Sequence, residues 1–251
     1  ITEQNLPETI PHVAIASDTR ETASLLSSAI TTGLIHKEIV VLDLGVLTTP
    51  LLFHHTMSNE ADYGIMITAS HNPYHDNGIK VFKHGVGKIS REDELRISEL
   101  FHTNVFSFSY EKLGGIVPIE NPNHSYVKDF LKQSAITSLK NLTFVIDCAH
   151  GSCCQLVPHL LEMFDAKIIS LSNEPDGKNI NHQCGVLHPE KLQKAMLEHK
   201  AHAGFAFDGD ADRVCVVAQD GSIKDGDDII AFLLKHPAYK DVTSVVGTVM
   251  S

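Results

Sequence analysis

The chain has 251 residues, 43% of them hydrophobic, which is enough for one large or two ordinary globular domains and argues against disorder. Its 20 basic and 31 acidic residues give a formal net charge of −11, so we expect no nucleic-acid partner, which would require a basic surface. No apolar run approaches the ~20 residues that cross a bilayer, so we expect no membrane partner. Residues 1–7 lack the pattern of a signal peptide, and we therefore expect a cytoplasmic protein.

The five cysteines include no Cys-x-x-Cys pair, which is the usual spacing of a zinc or redox site. Cys148 and Cys215 lie inside apolar runs that are typical of strands. We therefore expect reduced, buried thiols, as in a cytoplasmic protein, and no zinc site.

Strand and helix patterns alternate along the chain, which predicts βαβ units. The predicted strands cover residues 13–16, 39–44, 64–67, 142–148, 166–171, 203–207, 214–218 and 242–249. The predicted helices cover residues 23–33, 91–101, 155–164, 188–198 and 225–234, with one more following Pro50 to about Asn59. This order predicts an α/β fold with mixed, parallel-rich sheets and helices on the sheet faces.

The segment 103–125 is rich in Ser, Asn, Gly and Pro, which predicts a domain boundary. We expect a first domain over residues 1–120, a second over 121–228, and the start of a third over 229–251.

A serine follows the predicted strand 64–67 at the point where the apolar run stops. Ser70 should lie on a tight loop there, because Pro73 keeps Asn72 out of the helical region and open α/β sheets bind ligands at strand ends. A serine hydroxyl is a weak nucleophile unless a base or a cation activates it. His71 is a candidate proton shuttle and Lys80 a fixed positive charge. The alternative is a polar turn without chemistry.

Three carboxylates follow the predicted strand 203–207. Asp208, Asp210 and Asp212 alternate with the small residues Gly209 and Ala211, which let the backbone curl so that the carboxylates converge. Like charges this close repel one another unless a cation gathers them, and hard oxygen ligands favour Mg²⁺ or Ca²⁺ over zinc. The motif predicts a metal site on this loop.

An EF-hand and a solvated acidic turn are the two alternative interpretations of the acidic motif. An EF-hand also begins with this spacing, but it needs Gly at its sixth position and Glu at its twelfth, where this chain has Arg213 and Gln219. A solvated acidic turn neutralised by Arg213 stays open. A cation held by three carboxylates keeps positions for a phosphate oxygen, and Arg20, Lys80 and Arg213 are candidate phosphate clamps. The set favours phosphoryl transfer.

The segments Thr68-Ala-Ser-His-Asn-Pro73, Asp76-Asn-Gly-Ile-Lys80 and Asp208-Gly-Asp-Ala-Asp-Arg213 together resemble the α-D-phosphohexomutase superfamily. Within it, the chain is most similar to bacterial phosphoglucosamine mutases. The resemblance extends over the whole chain and corresponds to about the first half of a four-domain enzyme. It implies a mutase that interconverts hexose 6-phosphate and 1-phosphate through a phosphoserine and a hexose 1,6-bisphosphate intermediate, with glucosamine phosphate as the favoured substrate. It also allows a homodimer.

The same resemblance implies roles for individual residues. Ser70 would carry the catalytic phosphate, and His71 and Lys80 would transfer protons and stabilise charge. Mg²⁺ would be held by Asp208, Asp210, Asp212 and a phosphate oxygen on Ser70. Arg20 and Arg213 would lie near that phosphate.

Three alternatives stay open at this point. The enzyme could be a phosphoglucomutase or phosphomannomutase, which act on other hexoses. A Mg²⁺-dependent phosphatase or phosphotransferase using Ser70 is a different class of enzyme. An inactive fragment that binds metal or a partner is a third class.

Overall fold

The computed structural model describes residues 10–58, 60–103 and 112–247. The elements of its first part are β1 (His12–Ser17), α1 (Ala23–Ile35), β2 (Val40–Val46), α2 (Thr49–Met57), β3 (Tyr63–Ile67), β4 (Ile79–Lys83), β5 (Gly87–Lys88), α3 (Arg91–His102) and β6 (Ile116–Pro118). Their strands form one sheet in the order β5-β4-β3-β1-β2-β6. Strands β3, β1, β2 and β6 run parallel, whereas β4 and β5 are added antiparallel at one edge.

The second part repeats this arrangement. Its elements are α4 (His124–Gln133), β7 (Thr143–Asp147), α5 (Leu156–Glu162), β8 (Lys167–Leu171), α6 (Glu190–His199), β9 (Ala203–Phe207), β10 (Val214–Ala218), β11 (Ile223–Lys224) and α7 (Gly226–Leu233). The sheet order is β11-β10-β9-β7-β8, with β9, β7 and β8 parallel and the other two antiparallel. The predicted α/β fold with mixed sheets is confirmed.

Alternate side chains of the central strands enter separate cores. In β1, Val13 and Ile15 pack with the apolar side of α1, whereas Ala14 and Ala16 join the cluster that contains Leu52 of α2. Successive side chains of a strand point to opposite faces, so β1 is covered on both sides, as in parallel sheets. Full burial of one aliphatic side chain as large as leucine contributes about 1.5–3 kcal/mol.

The second sheet is covered in the same way. Val145 of β7 packs with Leu192 and Met196 of α6, and its neighbour Ile146 joins Cys153 on the other face. All five cysteines are free thiols, and four of them are buried as expected, whereas Cys215 is only half-buried.

Three local expectations need correction. The strand predicted over 242–249 is absent in residues 242–247, because a strand needs a hydrogen-bonding partner and no neighbouring strand in the described residues offers one. The helix predicted after Pro50 begins two residues earlier, at Thr49, with Pro50 in its first turn. The third correction is an omission, because β6 lies within the predicted boundary segment, pairs with β2 and is not among the predicted strands.

The domain limits after residues 120 and 228 stay predictions. Helix α4 contacts both parts of the chain: Tyr126 and Val127 pack on the first core, and the ring of Phe130 lies 6.2 Å from that of Phe164.

Some expectations fall outside the described residues. These are the absence of a signal peptide at residues 1–7, the end of a helix at Asn59, and strand residues 248 and 249. Every helix in the part of the chain that is described is too short or too polar to span a lipid bilayer.

Candidate active site

Two loops occupy equivalent places in the two sheets. The serine loop (residues 68–78) joins β3 to β4, and the acidic loop (residues 208–213) joins β9 to β10. Each leads from the parallel part of its sheet to the antiparallel edge. The two loops touch: the Ser70 hydroxyl donates a hydrogen bond to Asp208 Oδ2 at 2.6 Å, across 138 residues of sequence. The resemblance implies that Ser70 and Asp208 share one metal ion, which requires the two loops to meet, and they do.

The serine loop turns sharply at its functional residue. Ser70 has a φ of +54°, in the left-handed region that a non-glycine residue rarely adopts. Its backbone N–H donates to Thr68 Oγ1 at 2.8 Å, and the N–H of Asn72 donates to the Ala69 carbonyl at 3.0 Å. Such a conformation costs on the order of 1–3 kcal/mol and persists only where the surroundings fix it.

Arg20 supplies much of that fixation. Its side chain is fully buried, and its Nε donates to Asp18 at 2.9 Å. The two Nη atoms donate to four carbonyls of the serine loop, those of Ser70, Asn72, Pro73 and Asp76. A guanidinium has five N–H groups, and all five are engaged. These bonds give Arg20 a positioning role in the serine loop, and its predicted place near a phosphate on Ser70 stays a prediction.

The ion pair that anchors the loop is deeply buried. Asp18 is 1% exposed and accepts a further hydrogen bond from Thr68 Oγ1 at 2.7 Å. Burial raises the pKa of Asp18, although Arg20 and the hydrogen bond from Thr68 act in the opposite direction. The carboxylate is therefore costly to bury and depends on Arg20 as its partner.

The second part of the chain also touches the serine loop. Asn181 Nδ2 donates to the Ser70 carbonyl at 2.8 Å. A Cβ atom at Gly209 would lie 2.8 Å from that same carbonyl oxygen and 2.7 Å from Ile180 Cδ1. Glycine at this position is thus required by the close approach of the two loops.

The acidic loop gathers its three carboxylates as predicted. One ligand atom from each of Asp208, Asp210 and Asp212 lies within 4.8 Å of the others. The turn is closed by Ala211, which has a φ of +56°. Burial raises the pKa of Asp208 to about 6, and the charges of Asp210 and Asp212 act in the same direction, whereas the hydrogen bond from Ser70 lowers it.

Two cationic side chains face the cluster. Lys80 Nζ donates to Asp210 Oδ2 at 2.6 Å and to Asp212 Oδ2 at 2.7 Å. Burial alone would lower the pKa of Lys80, but these hydrogen bonds and charges raise it overall. Arg213 is half-exposed, and its Nε lies 4.0 Å from Asp208 and 3.8 Å from Asp212. Unlike Arg20, it has a guanidinium that faces solvent.

The cluster fits a hard divalent cation. Asp210 is fully buried, and its Oδ2 accepts from Lys80 and from the Thr49 hydroxyl. Its Oδ1 is buried without a hydrogen-bond partner. Buried carboxylate oxygens are normally satisfied, so an unpaired one beside two further carboxylates is suited to a metal ligand. Oxygen-only donors match Mg²⁺ or Ca²⁺ better than zinc.

His71 is not among the residues that bond to the carboxylates in the described part of the chain. Its Nδ1 is buried without a hydrogen-bond partner. The side chain lines a cavity of about 250 Å³ between the serine loop and residues 178–188, where Lys178 and His182 are also lining residues. The side chain thus lies next to Ser70 along the chain and faces this cavity, and none of the described hydrogen bonds joins it to the acidic loop.

Sequence reasoning missed two supporting residues, Thr49 and Asn181. Thr49 lies in a Thr-Thr-Pro segment that is typical of a helix start, and the pattern does not reveal what a helix end faces. Asn181 lies in an irregular polar segment whose contacts depend on the other half of the chain.

Comparison with known proteins agrees with the motifs. The family model "Phosphoglucomutase/phosphomannomutase, alpha/beta/alpha domain I" matches residues 2–107, and the domain II model of the same family matches residues 124–221. The phosphoglucosamine mutase of Acinetobacter baumannii strain ACICU is 41% identical over 253 residues, covering 100% of this chain and 56% of that protein. The phosphoglucosamine mutase of Acinetobacter baylyi is 42% identical over 256 residues, covering 100% of this chain and 57% of that protein.

A solved structure is also similar. The crystal structure of a phosphoglucomutase/phosphomannomutase family protein from Burkholderia thailandensis has a TM-score of 0.74 and 27% identity, covering 85% of this chain and 47% of that one. The chain spans about half the length of the curated relatives that it matches. Because two domain models of one family match most of its length, the chain belongs to the phosphoglucomutase/phosphomannomutase family.

Proposed function

We propose that the chain is the phosphoryl-transfer half of a phosphohexomutase, an isomerase that interconverts glucosamine 6-phosphate and glucosamine 1-phosphate. The observation that carries this proposal is the 2.6 Å hydrogen bond between Ser70 Oγ and Asp208 Oδ2, at the edge of a three-carboxylate cluster. The choice of sugar is supported by relatives at 41% identity that are phosphoglucosamine mutases. Since the chain spans about half of those relatives, the complete activity is part of the proposal.

Each side chain has a role in this proposal. Ser70 carries the phosphate, which its left-handed turn presents at the contact between the two loops. Arg213 faces solvent beside the cluster and binds the phosphate oxygens. Lys80 stabilises the negative charge of the transferred group. Arg20 keeps the serine loop in shape, as its five engaged N–H groups indicate.

A metal ion fits this arrangement. We propose that Asp208, Asp210, Asp212 and an oxygen on Ser70 hold Mg²⁺, which when bound would neutralise charge on the phosphoryl group. The unpaired Oδ1 of Asp210 supports this assignment.

The proposed transfer exchanges one phosphorus–oxygen bond for another and moves one proton. The bond between phosphorus and Ser70 Oγ breaks while phosphorus bonds to a hydroxyl oxygen of the sugar monophosphate, giving the 1,6-bisphosphate. The sugar hydroxyl loses its proton to the ring of His71, whose side chain lines the cavity beside the serine loop, and His71 returns that proton to Ser70 Oγ. The reverse reaction at the other phosphate of the reoriented intermediate restores the phosphoserine.

The test uses the complete protein. Intact-mass and site mapping should find phosphate on Ser70, and Ser70→Ala should abolish mutase activity. Ser152→Ala is the matched control, because Ser152 Oγ is buried without a hydrogen-bond partner, and the substitution keeps the bond from its backbone N–H to the Gly209 carbonyl. A fully active Ser70→Ala enzyme would rule the mechanism out.

Assays of the complete protein with different sugar phosphates separate the alternative functions. Faster turnover of glucose or mannose phosphate would reassign the sugar but keep the mutase. Release of phosphate to water, with none returned to sugar, would indicate a phosphatase. The cytoplasmic location, the absence of nucleic-acid and membrane partners, and the homodimer stay predictions.

A further inference from the structure

The start of helix α2 meets the acidic loop. Thr48 caps this helix with an extended backbone, and Thr49, its first residue, is buried. The backbone N–H of Thr49 donates to the Asp210 carbonyl at 2.9 Å, and its hydroxyl donates to Asp210 Oδ2. One residue of the first part thus binds both the main chain and the side chain of a residue 161 positions later.

These two hydrogen bonds fix the orientation of the Asp210 side chain. Rotation of the carboxylate is restricted because Oδ2 is bonded to Thr49 and to Lys80, at 2.6 Å for the latter. Oδ1 is left buried and without a hydrogen-bond partner. A carboxylate that is pinned through one oxygen presents the other in a fixed direction, which is how outer groups orient the ligands of a metal.

We propose that Thr49 is a positioning residue for the divalent cation of the acidic loop. All three carboxylates belong to the second part of the chain, so the proposal makes cation affinity depend on a side chain of the first part. This rests on the proposed function, because it assumes that Asp210 is a metal ligand. Removal of a group that orients a metal ligand typically lowers metal affinity about 10- to 100-fold.

The decisive variant is Thr49→Val in the complete protein. Valine has nearly the shape of threonine and keeps the backbone bond to the Asp210 carbonyl, but it lacks the hydroxyl. Thr49→Ser restores a hydroxyl. Thr56→Val is the matched control, because Thr56 is a buried threonine of the same helix whose hydroxyl donates only to the Leu52 carbonyl within that helix.

Mg²⁺ is titrated into each protein by calorimetry after removal of bound metal, and thermal unfolding is followed in the presence of a chelator. We expect Thr49→Val to bind Mg²⁺ about 10- to 100-fold more weakly, and Thr49→Ser and Thr56→Val to bind within a few-fold of the parent. Should Thr49→Val not fold, Thr49→Ala removes the same hydroxyl without a new branched methyl.

The outcomes separate two failures. A parent protein that binds Mg²⁺ while Thr49→Val binds it equally well overturns this inference and leaves the proposed function standing. Equal loss of affinity in Thr49→Val and Thr56→Val also overturns it, because a general weakening of the helix would then explain both. A parent protein that binds no Mg²⁺ overturns the inference together with the proposed metal site.

Discussion

The serine loop and the acidic loop lie at the same place in two copies of one topology. In each part a strand, helix, strand, helix and strand precede an antiparallel pair of strands, and the loop connects the third strand to the fourth. What differs is how each loop is held. The serine loop is held through its main-chain carbonyls, by Arg20 and Asn181. The acidic loop is held through its carboxylates, by Lys80 and Thr49.

In the serine loop, the groups that fix the backbone differ from the group proposed to react. In the acidic loop, the same carboxylate serves both purposes. The bonds from Arg20 and Asn181 do not involve the Ser70 hydroxyl, so a group carried on that oxygen would leave these bonds in place. In the acidic loop, Asp210 is both a candidate ligand and the group that the first part holds. Substitutions around the serine loop should therefore act mainly on stability, and those in the acidic loop on cation affinity.

The largest expected effect comes from removing the Arg20 side chain, whose hydrogen bonds hold the serine loop. Arg20→Met removes five hydrogen bonds and leaves Asp18 buried without its cation. Breaking a buried ion pair by removing one partner costs about 3–5 kcal/mol, which should appear as a lower free energy of unfolding in urea. Arg213→Met is the control, since that guanidinium is half-exposed, and its effect should stay within about 0.5 kcal/mol. Equal free energies of unfolding for the two variants would mean that the Arg20 side chain does not stabilise the serine loop.

An intermediate effect is expected at Ala211 in the acidic loop. Ala211→Val places a β-branched residue at a φ of +56°, which costs on the order of 1–3 kcal/mol. All three carboxylates remain, yet Mg²⁺ affinity should fall because the turn that gathers them is strained. Ala211→Gly is the matched control, since glycine adopts this backbone conformation without steric cost. Calorimetric titration checks both, and equal Mg²⁺ affinities for the two variants would show that the turn does not matter.

Sequence patterns were sufficient for the parts of this comparison that depend on local periodicity. Alternation of strand and helix signals predicts both sheets, and the two motifs predict that Ser70 and Asp208 lie on loops that meet, which the 2.6 Å contact confirms. The duplication of topology was less visible, because the short strands β5 and β11 carry little signal of their own.

Contacts made by main-chain groups could not be predicted. The sequence marks Arg20 as a candidate phosphate ligand, but it does not reveal the bonds of Arg20 to carbonyls, which every residue carries and no sequence pattern marks. The false strand at residues 242–247 has the same origin, since valines favour strands but pairing depends on which neighbours are present.

The last expected effect is absent at neutral pH and appears only in alkaline solution, and it concerns Cys184 in the segment that packs against the start of the acidic loop. Gly185 donates to Asp147 Oδ2 at 3.0 Å, and a Cβ at Gly185 would lie 2.5 Å from the carbonyl of Phe207, the residue before Asp208. Cys184, its neighbour, is 1% exposed. Burial, with the negative charge of Asp147, raises the pKa of Cys184 from 9.0 to about 11.

The sign of the pH dependence follows from that shift. The unfolded thiol ionises above pH 9 while the native thiol stays neutral to about pH 11, so its contribution is fully present below pH 9 and lost between these values. Two pKa units correspond to about 2–3 kcal/mol at most. Cys184→Ser cannot ionise there, so its free energy of unfolding in urea should fall less steeply than the parent's from pH 9 to 11. A constant difference in the free energy of unfolding between the two proteins across this range would mean that the native Cys184 thiol does not have a raised pKa.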